Sequence, residues 1–187
     1  RQQELHLKVR SFRQFTPWLR LDAGVETFIR SYRDYYRFEL LYDENRMYPT
    51  ICAGFLSSIF YLSEHFKTEL SFRPEYVSLN RRMNWSPRAA VSYAWNRLSI
   101  SVVAGQYTQL PENKYLIKTT ALPSNICRQT LFSLQYEQSG RFYKAEFYYK
   151  NYKRLELSVP QGMVPDGYGY SKGIDLYFCD NALWKNF

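Results

Sequence analysis

Between Leu19 and Arg30 the chain sorts its residues by parity. Leu19, Leu21, Ala23, Val25, Thr27 and Ile29 fall on one side of an extended backbone, and Arg20, Asp22, Gly24, Glu26 and Arg30 fall on the other. A period of two belongs to a strand and to no helix. The same sorting sets Leu5, Leu7 and Val9 against His6, Lys8 and Arg10, and Thr68, Leu70 and Phe72 against Lys67, Glu69, Ser71 and Arg73. It recurs where Tyr143, Ala145, Phe147 and Tyr149 alternate with Lys144, Glu146, Tyr148 and Lys150. The polar faces carry full charges of both signs, which suits a watery lumen, while aliphatic and aromatic side chains on the opposite faces suit lipid. The pattern predicts an all-β chain forming part of an antiparallel transmembrane β-barrel.

Nine strands are expected, over 4–15, 18–32, 50–63, 66–79, 87–95, 97–109, 128–138, 141–157 and 167–179. Tight turns at 16–17, 63–65, 96–97 and 139–140 alternate with longer joints at 31–49, 80–86, 110–126 and 158–166. In outer-membrane barrels the short joints face the periplasm and the long ones face outward. Several of these strands exceed the roughly 9–11 residues that a tilted crossing requires. Strands of soluble proteins run nearer to about 5–6 residues. Trp18, Tyr61, Trp85, Trp95, Tyr107 and Tyr152 stand at expected strand ends, where interfacial girdles form. An odd strand count does not close a bacterial barrel of the usual even number, and open edges in lipid leave backbone groups unsatisfied. Residues 1–187 therefore read as a contiguous piece of a larger barrel, with no plug domain and no signal peptide.

Other classes fit poorly. The net charge of +8 comes from single Lys and Arg residues interleaved with Asp and Glu along the strands. That is lumen lining and loop decoration, and no nucleic-acid partner is expected. Cys52, Cys127 and Cys179 lack CxxC spacing; either two of them pair or all are unpaired wall residues. His6 and His65 have no ligand partner at useful spacing, so neither a metal nor any other cofactor is expected. No apolar run reaches the about 20 residues of a membrane helix. No GxSxG, HExxH or phosphate-binding loop occurs, and the chain does not read as an enzyme.

Several segments resemble the barrel of TonB-dependent outer-membrane receptors. Phe72-Arg73-Pro74-Glu75-Tyr76 is similar to the family's G-x-R-x-E-Y strand end, with Phe72 where Gly is common and Pro74 inside the motif. Trp85-Ser86-Pro87-Arg88, running on through Ala89 to Tyr93, resembles its S-P-R strand opener. Gly105-Gln106-Tyr107 with Gln109-Leu110-Pro111-Glu112-Asn113 resembles G-x-Y-x-Q-x-P. The stretch 141–152 resembles R-x-E-x-Y-Y-K-x-Y, and 167–176 resembles G-x-G-Y-A-K-G-[IV]-E-L. The resemblance implies a parent barrel of about 22 strands with a plug in its lumen. It also implies a bacterial outer-membrane location, contact with outer-membrane lipid, the plug domain of the same full-length chain, the TonB complex reached through an N-terminal part, and an imported solute of the iron-chelate, corrinoid or glycan class. Pro74 lacks a ladder donor and predicts a bend near the end of its strand.

Two places are candidates for solute binding. Arg30, Arg33, Tyr35, Tyr36, Arg37 and Tyr42 combine cationic forks with aromatic faces, which grip anionic chelates or stack on sugars. The joint 110–126 contributes Lys114, Tyr115 and Lys118; its plainer role is a packed loop shielding the barrel mouth. The lumen charges Arg20, Asp22, Glu26, Lys67, Glu69 and Arg73 are candidates for cross-strand ion pairs or plug contact. Two other readings remain, a passive or structural outer-membrane barrel without TonB coupling and a soluble β-sandwich binding module.

Overall fold

The computed structural model describes residues 2–38, 41–117, 119–160 and 162–180, and the side chains of 35–44 lie outside that description. The strands are β1 (Gln2–Thr16), β2 (Leu19–Phe38), β3 (Leu41–Met47), β4 (Thr50–Tyr61) and β5 (Phe66–Val77). They continue as β6 (Arg82–Trp95), β7 (Leu98–Gln109), β8 (Asn125–Gln138), β9 (Arg141–Val159) and β10 (Gly162–Asp180). One helical turn, α1 (Asn113–Leu116), interrupts the segment between β7 and β8. All strands join one sheet in which each pairs antiparallel with its neighbour in sequence, β3 and β4 sharing the long β2 as partner. None of the described helices is long and apolar enough to cross a membrane.

Burial is inverted relative to a soluble protein. On β2, Val25 is 62% exposed while Asp22 is 5% exposed, and on β5 Leu70 is 50% exposed while Glu75 is 7% exposed. The charged face is therefore the concave one, and the apolar face looks outward as a lipid-facing wall must. Leu5, Leu7 and Val9 on β1 and Ile174 and Leu176 on β10 are exposed in the same sense. The tight turns lie where the sequence places them, except that the first falls one residue later, at 17–18. Ser139 and Gly140 both have positive φ, 44° and 84°, the pairing that lets a two-residue hairpin follow the sheet's twist.

The outer joints differ from expectation. Residues 32–38 of β2 pair with β3 from Tyr32↔Met47 to Phe38↔Leu41, so the expected joint 31–49 is largely an extended hairpin. The expected joint 80–86 shrinks to 78–81, because β6 begins at Arg82. The expected joint 158–166 also gives way to strand, with β9 and β10 paired out to Val159 and Gly162. Sequence pattern misses these extensions because a strand wet on both faces needs no alternation. β2 has 20 residues and β9 and β10 have 19 each, and at roughly 3.3 Å per residue they reach about 60 Å, well beyond one crossing. The count becomes ten because β3 and β4 are two pieces of one path, broken at Tyr48 and Pro49.

Pro74 interrupts a ladder without shifting it. β4 and β5 pair at Ala53↔Glu75 and again at Leu56↔Phe72 in the same register, skipping the residues opposite Arg73 and Pro74. On its other side Pro74 stays paired with Trp85. The facing residue is Gly54, where an added Cβ would lie an ordinary 3.8 Å from the proline ring. Gly24 is different: an added Cβ would meet the Val9 carbonyl and come within 2.6 Å of the Phe55 ring. Gly24→Ala is expected to lower barrel stability by about 1–3 kcal/mol through this overpacking. Gly54→Ala should be near neutral, and urea unfolding of the two variants in detergent makes the comparison.

Candidate functional site in the lumen

The concave faces of β1, β2, β4 and β5 bring acids and bases together across strands. Arg10 donates from Nε to both carboxylate oxygens of Asp22, at 2.8 and 3.0 Å. Next along the wall, Arg73 donates from Nε and Nη2 to Glu26 Oε1, at 3.0 and 2.8 Å, and from Nη1 to Glu75 Oε2 at 2.6 Å. The guanidinium fork reaches across β4 because Ala53 stands between Glu26 and Glu75 in the register. The other Glu26 oxygen lies 3.5 Å from Lys8 Nζ and 3.5 Å from His6 Nε2. Nearer the outer end, Arg30 donates to Glu4 at 2.6 Å. The His6 ring stacks on Phe28 at 4.0 Å between centroids.

Arg20, Asp22, Glu26, Glu69 and Arg73 line one concave hollow of about 490 Å³ together with Lys8, Arg10 and Phe55. Asp22, Glu26 and Arg73 spend their charge within the wall, and Glu69 accepts a hydrogen bond from Ser57 at 2.6 Å. Arg20 lies over the Phe12 ring at 4.8 Å with its buried Nε unpartnered among the described residues, and Arg88 Nε is in the same state. Lys67 does not join the group; it sits near the turn at 63–65, beside His65 and Ser92.

A second cavity of about 680 Å³ opens above the first. Arg30, Tyr32, Phe28, Arg73 and Glu75 form one side, and Thr108, Gln109, Glu112, Asn113 and Lys114 form the other. The segment between β7 and β8 folds inward and holds that second side in place. Leu116 and Leu122 are buried against Met47, and Tyr32, Leu79, Leu110, Tyr115 and Met163 pack around them. Asn80 Nδ2 donates to the Leu122 carbonyl at 2.7 Å, and Asn84 Nδ2 to Ser124 Oγ at 2.9 Å. Lys114 reaches Glu112 at 2.7 Å and lies over the Tyr115 ring at 4.7 Å; the hydrogen bond to Glu112 raises the lysine pKa.

Of the residues read from sequence as solute-binding, Arg30 and Lys114 line this cavity, while Tyr115 packs beneath it. Arg33 is paired opposite Arg46 in the hairpin, out of phase with Arg30 and Tyr32. The side chains of Tyr35, Tyr36, Arg37 and Tyr42 lie outside the described residues, as does Lys118. The sequence reading missed Phe28, Tyr32, Glu75, Gln109 and Asn113. Glu75 shares the polar parity of Arg73 and Gln109 closes strand β7, so both were legible in principle, whereas Asn113 reaches the cavity only through the inward fold of its segment. Among the described residues no cluster of His, Cys, Asp or Glu is arranged to hold a metal ion. Cys52, Cys127 and Cys179 stand on β4, β8 and β10, and Cys52 and Cys127 carry free thiols.

A curved antiparallel sheet, charged within and apolar without, defines a wall of the outer-membrane barrel type. Solved structures narrow this. The ferric enterobactin receptor PfeA, in complex with BCV-L6, matches with a TM-score of 0.79 at 11% identity, over 94% of this chain and 33% of that one. The FrpB iron transporter from Neisseria meningitidis matches with a TM-score of 0.72 at 11% identity, over 94% and 33%. The copper transporter OprC matches with a TM-score of 0.69 at 12% identity, over 94% and 34%. The chain thus has the fold of a contiguous part of the TonB-dependent receptor barrel, spanning about a third of the length of these proteins. No protein-family model and no curated protein matches the sequence.

Proposed function

We propose that the chain is part of a bacterial outer-membrane receptor that imports a scarce solute under the drive of the TonB complex, the solute being a metal chelate. The observation that carries this is the cavity of about 680 Å³ in which Arg30, Arg73 and Lys114 converge beside Phe28 and Tyr32. Each cation already touches an acid, yet a guanidinium has five donors, and those left over suit a ligand with several anionic oxygens. The aromatic rings offer flat faces for the organic part of a chelate. The named neighbours handle ferric enterobactin, iron and copper, which favours a metal chelate over a corrinoid or a glycan.

In this reading the tight turns face the periplasm and the infolded segment faces outward. Lipid surrounds the apolar wall, and a plug from the same full-length chain occupies the lumen. The chain carries out no chemistry of its own.

Growth of the parent bacterium on the chelate as sole metal source tests the reading, measured with and without a working TonB complex. Growth lost in both the receptor deletion and the TonB mutant is the expected result. Growth that survives loss of TonB would assign the chain to a passive barrel instead, and full solubility without detergent would assign it to a β-sandwich.

A further inference from the structure

We propose that the lipid-facing side of β7, β8 and β9 holds one phosphate-bearing lipid of the outward leaflet, its headgroup on Arg128 and Lys153 and an acyl chain in the groove beneath them. The inference rests on the membrane-spanning reading above. It concerns the outside of the wall, away from the lumen site.

The groove has a volume of about 930 Å³ and runs between Phe72 on β5 and Tyr149 on β9. Its floor is shallow because the register puts small residues side by side. Ala89 faces Ala104, and both are exposed. One rung lower the outer wall is fully apolar, with Val102 facing Phe132 and Phe132 facing Phe147, all exposed. One rung above Ala104 the character changes at once: Gln106 faces Arg128, which faces Asn151, and Lys153 follows on β9. A rung of two residues is about 7 Å, so the change from hydrocarbon-like to cationic surface falls within the thickness of one headgroup layer.

Charge decides the occupant. Among the described residues no acidic side chain lines the groove, and Arg128 donates from its Nε to Gln106 Oε1 at 3.1 Å. In the lumen, by contrast, Arg10, Arg30 and Arg73 are each ion-paired. A guanidinium and an ammonium with no counter-charge among the described residues, set at the upper edge of an apolar groove, match an anionic head with a hydrocarbon tail. A free phosphate would use the cations and leave the groove without purpose.

The test uses the full-length protein in detergent, analysed by native mass spectrometry after addition of lipid A, phosphatidylcholine or inorganic phosphate. Retention of lipid A in preference to phosphatidylcholine is expected. The double variant Arg128→Ala/Lys153→Ala should weaken that retention about tenfold. Ala104→Trp fills the groove with the cations intact and should weaken it as well, while the shift of the folded band on heating stays unchanged in both variants. Equal retention of the two lipids, indifference to both variants, or binding of inorganic phosphate without lipid overturns the proposal. A protein that requires detergent yet ignores lipid A removes this inference alone; one that stays in solution without detergent removes the import reading with it.

Discussion

Replacing Arg73 by alanine is expected to cost about 2 kcal/mol of barrel stability, because Glu26 and Glu75 would then face each other across Ala53 with no bridging fork. The value is set below that of a fully buried pair because the Arg73 side chain keeps 23% of its surface exposed to the lumen. Arg73→Lys should recover only part of the loss, since an ammonium cannot reproduce the planar fork that spans two carboxylates. Adding Glu26→Gln to Arg73→Ala should recover more, because it removes the uncompensated charge itself. A double-mutant cycle by urea unfolding in detergent measures the coupling. Independence of the two substitutions would show that the Arg73–Glu26 pair contributes nothing to the wall.

Leu116→Ala is expected to release the infolded segment while the strands stay intact. Leu116 is 1% exposed and sits at the centre of the contacts with Met47 and Leu122. Truncation of a buried leucine costs about 3 kcal/mol, which for a local unit means on the order of a hundredfold more frequent opening. Protease cleavage and hydrogen exchange between β7 and β8 should rise accordingly, with protection in β4–β7 unchanged. On the import reading, solute affinity should fall at the same time, because Asn113 and Lys114 leave the cavity with the segment. Unchanged cleavage would mean that the segment is held by its hydrogen bonds to Asn80 and Asn84 and not by the leucines.

The wall was legible wherever lipid dictates it. Residues 5–10 of β1, the lower half of β2 and the lower half of β9 alternate cleanly, as a wall with one apolar and one wet face requires. Above the bilayer that constraint ends, and the hairpin of Tyr32–Phe38 with Leu41–Met47 was read as a loop. The lumen residues could be named by parity, since Arg73 and Glu26 each lie on a polar face. Their union could not be read, because the partners are 47 positions apart and meet only once β2, β4 and β5 are in register. The inward fold of the β7–β8 segment was hidden for a similar reason. Leu116 and Leu122 look like ordinary apolar loop residues until Met47 and Met163 arrive from opposite ends of the chain.

The wall is also uneven in height. β2 with β3 and β9 with β10 stand tall, whereas β5 and β6 end low at the turn 78–81. On the import reading, a bulky solute would meet a doorway with two high jambs and a low sill, not a symmetrical funnel. Leu79 packs against the infolded segment and Asn80 is bonded to it, so the sill and the strut behind it form one threshold. On that reading the strand heights, fixed before any loop moves, set the solute's angle of approach.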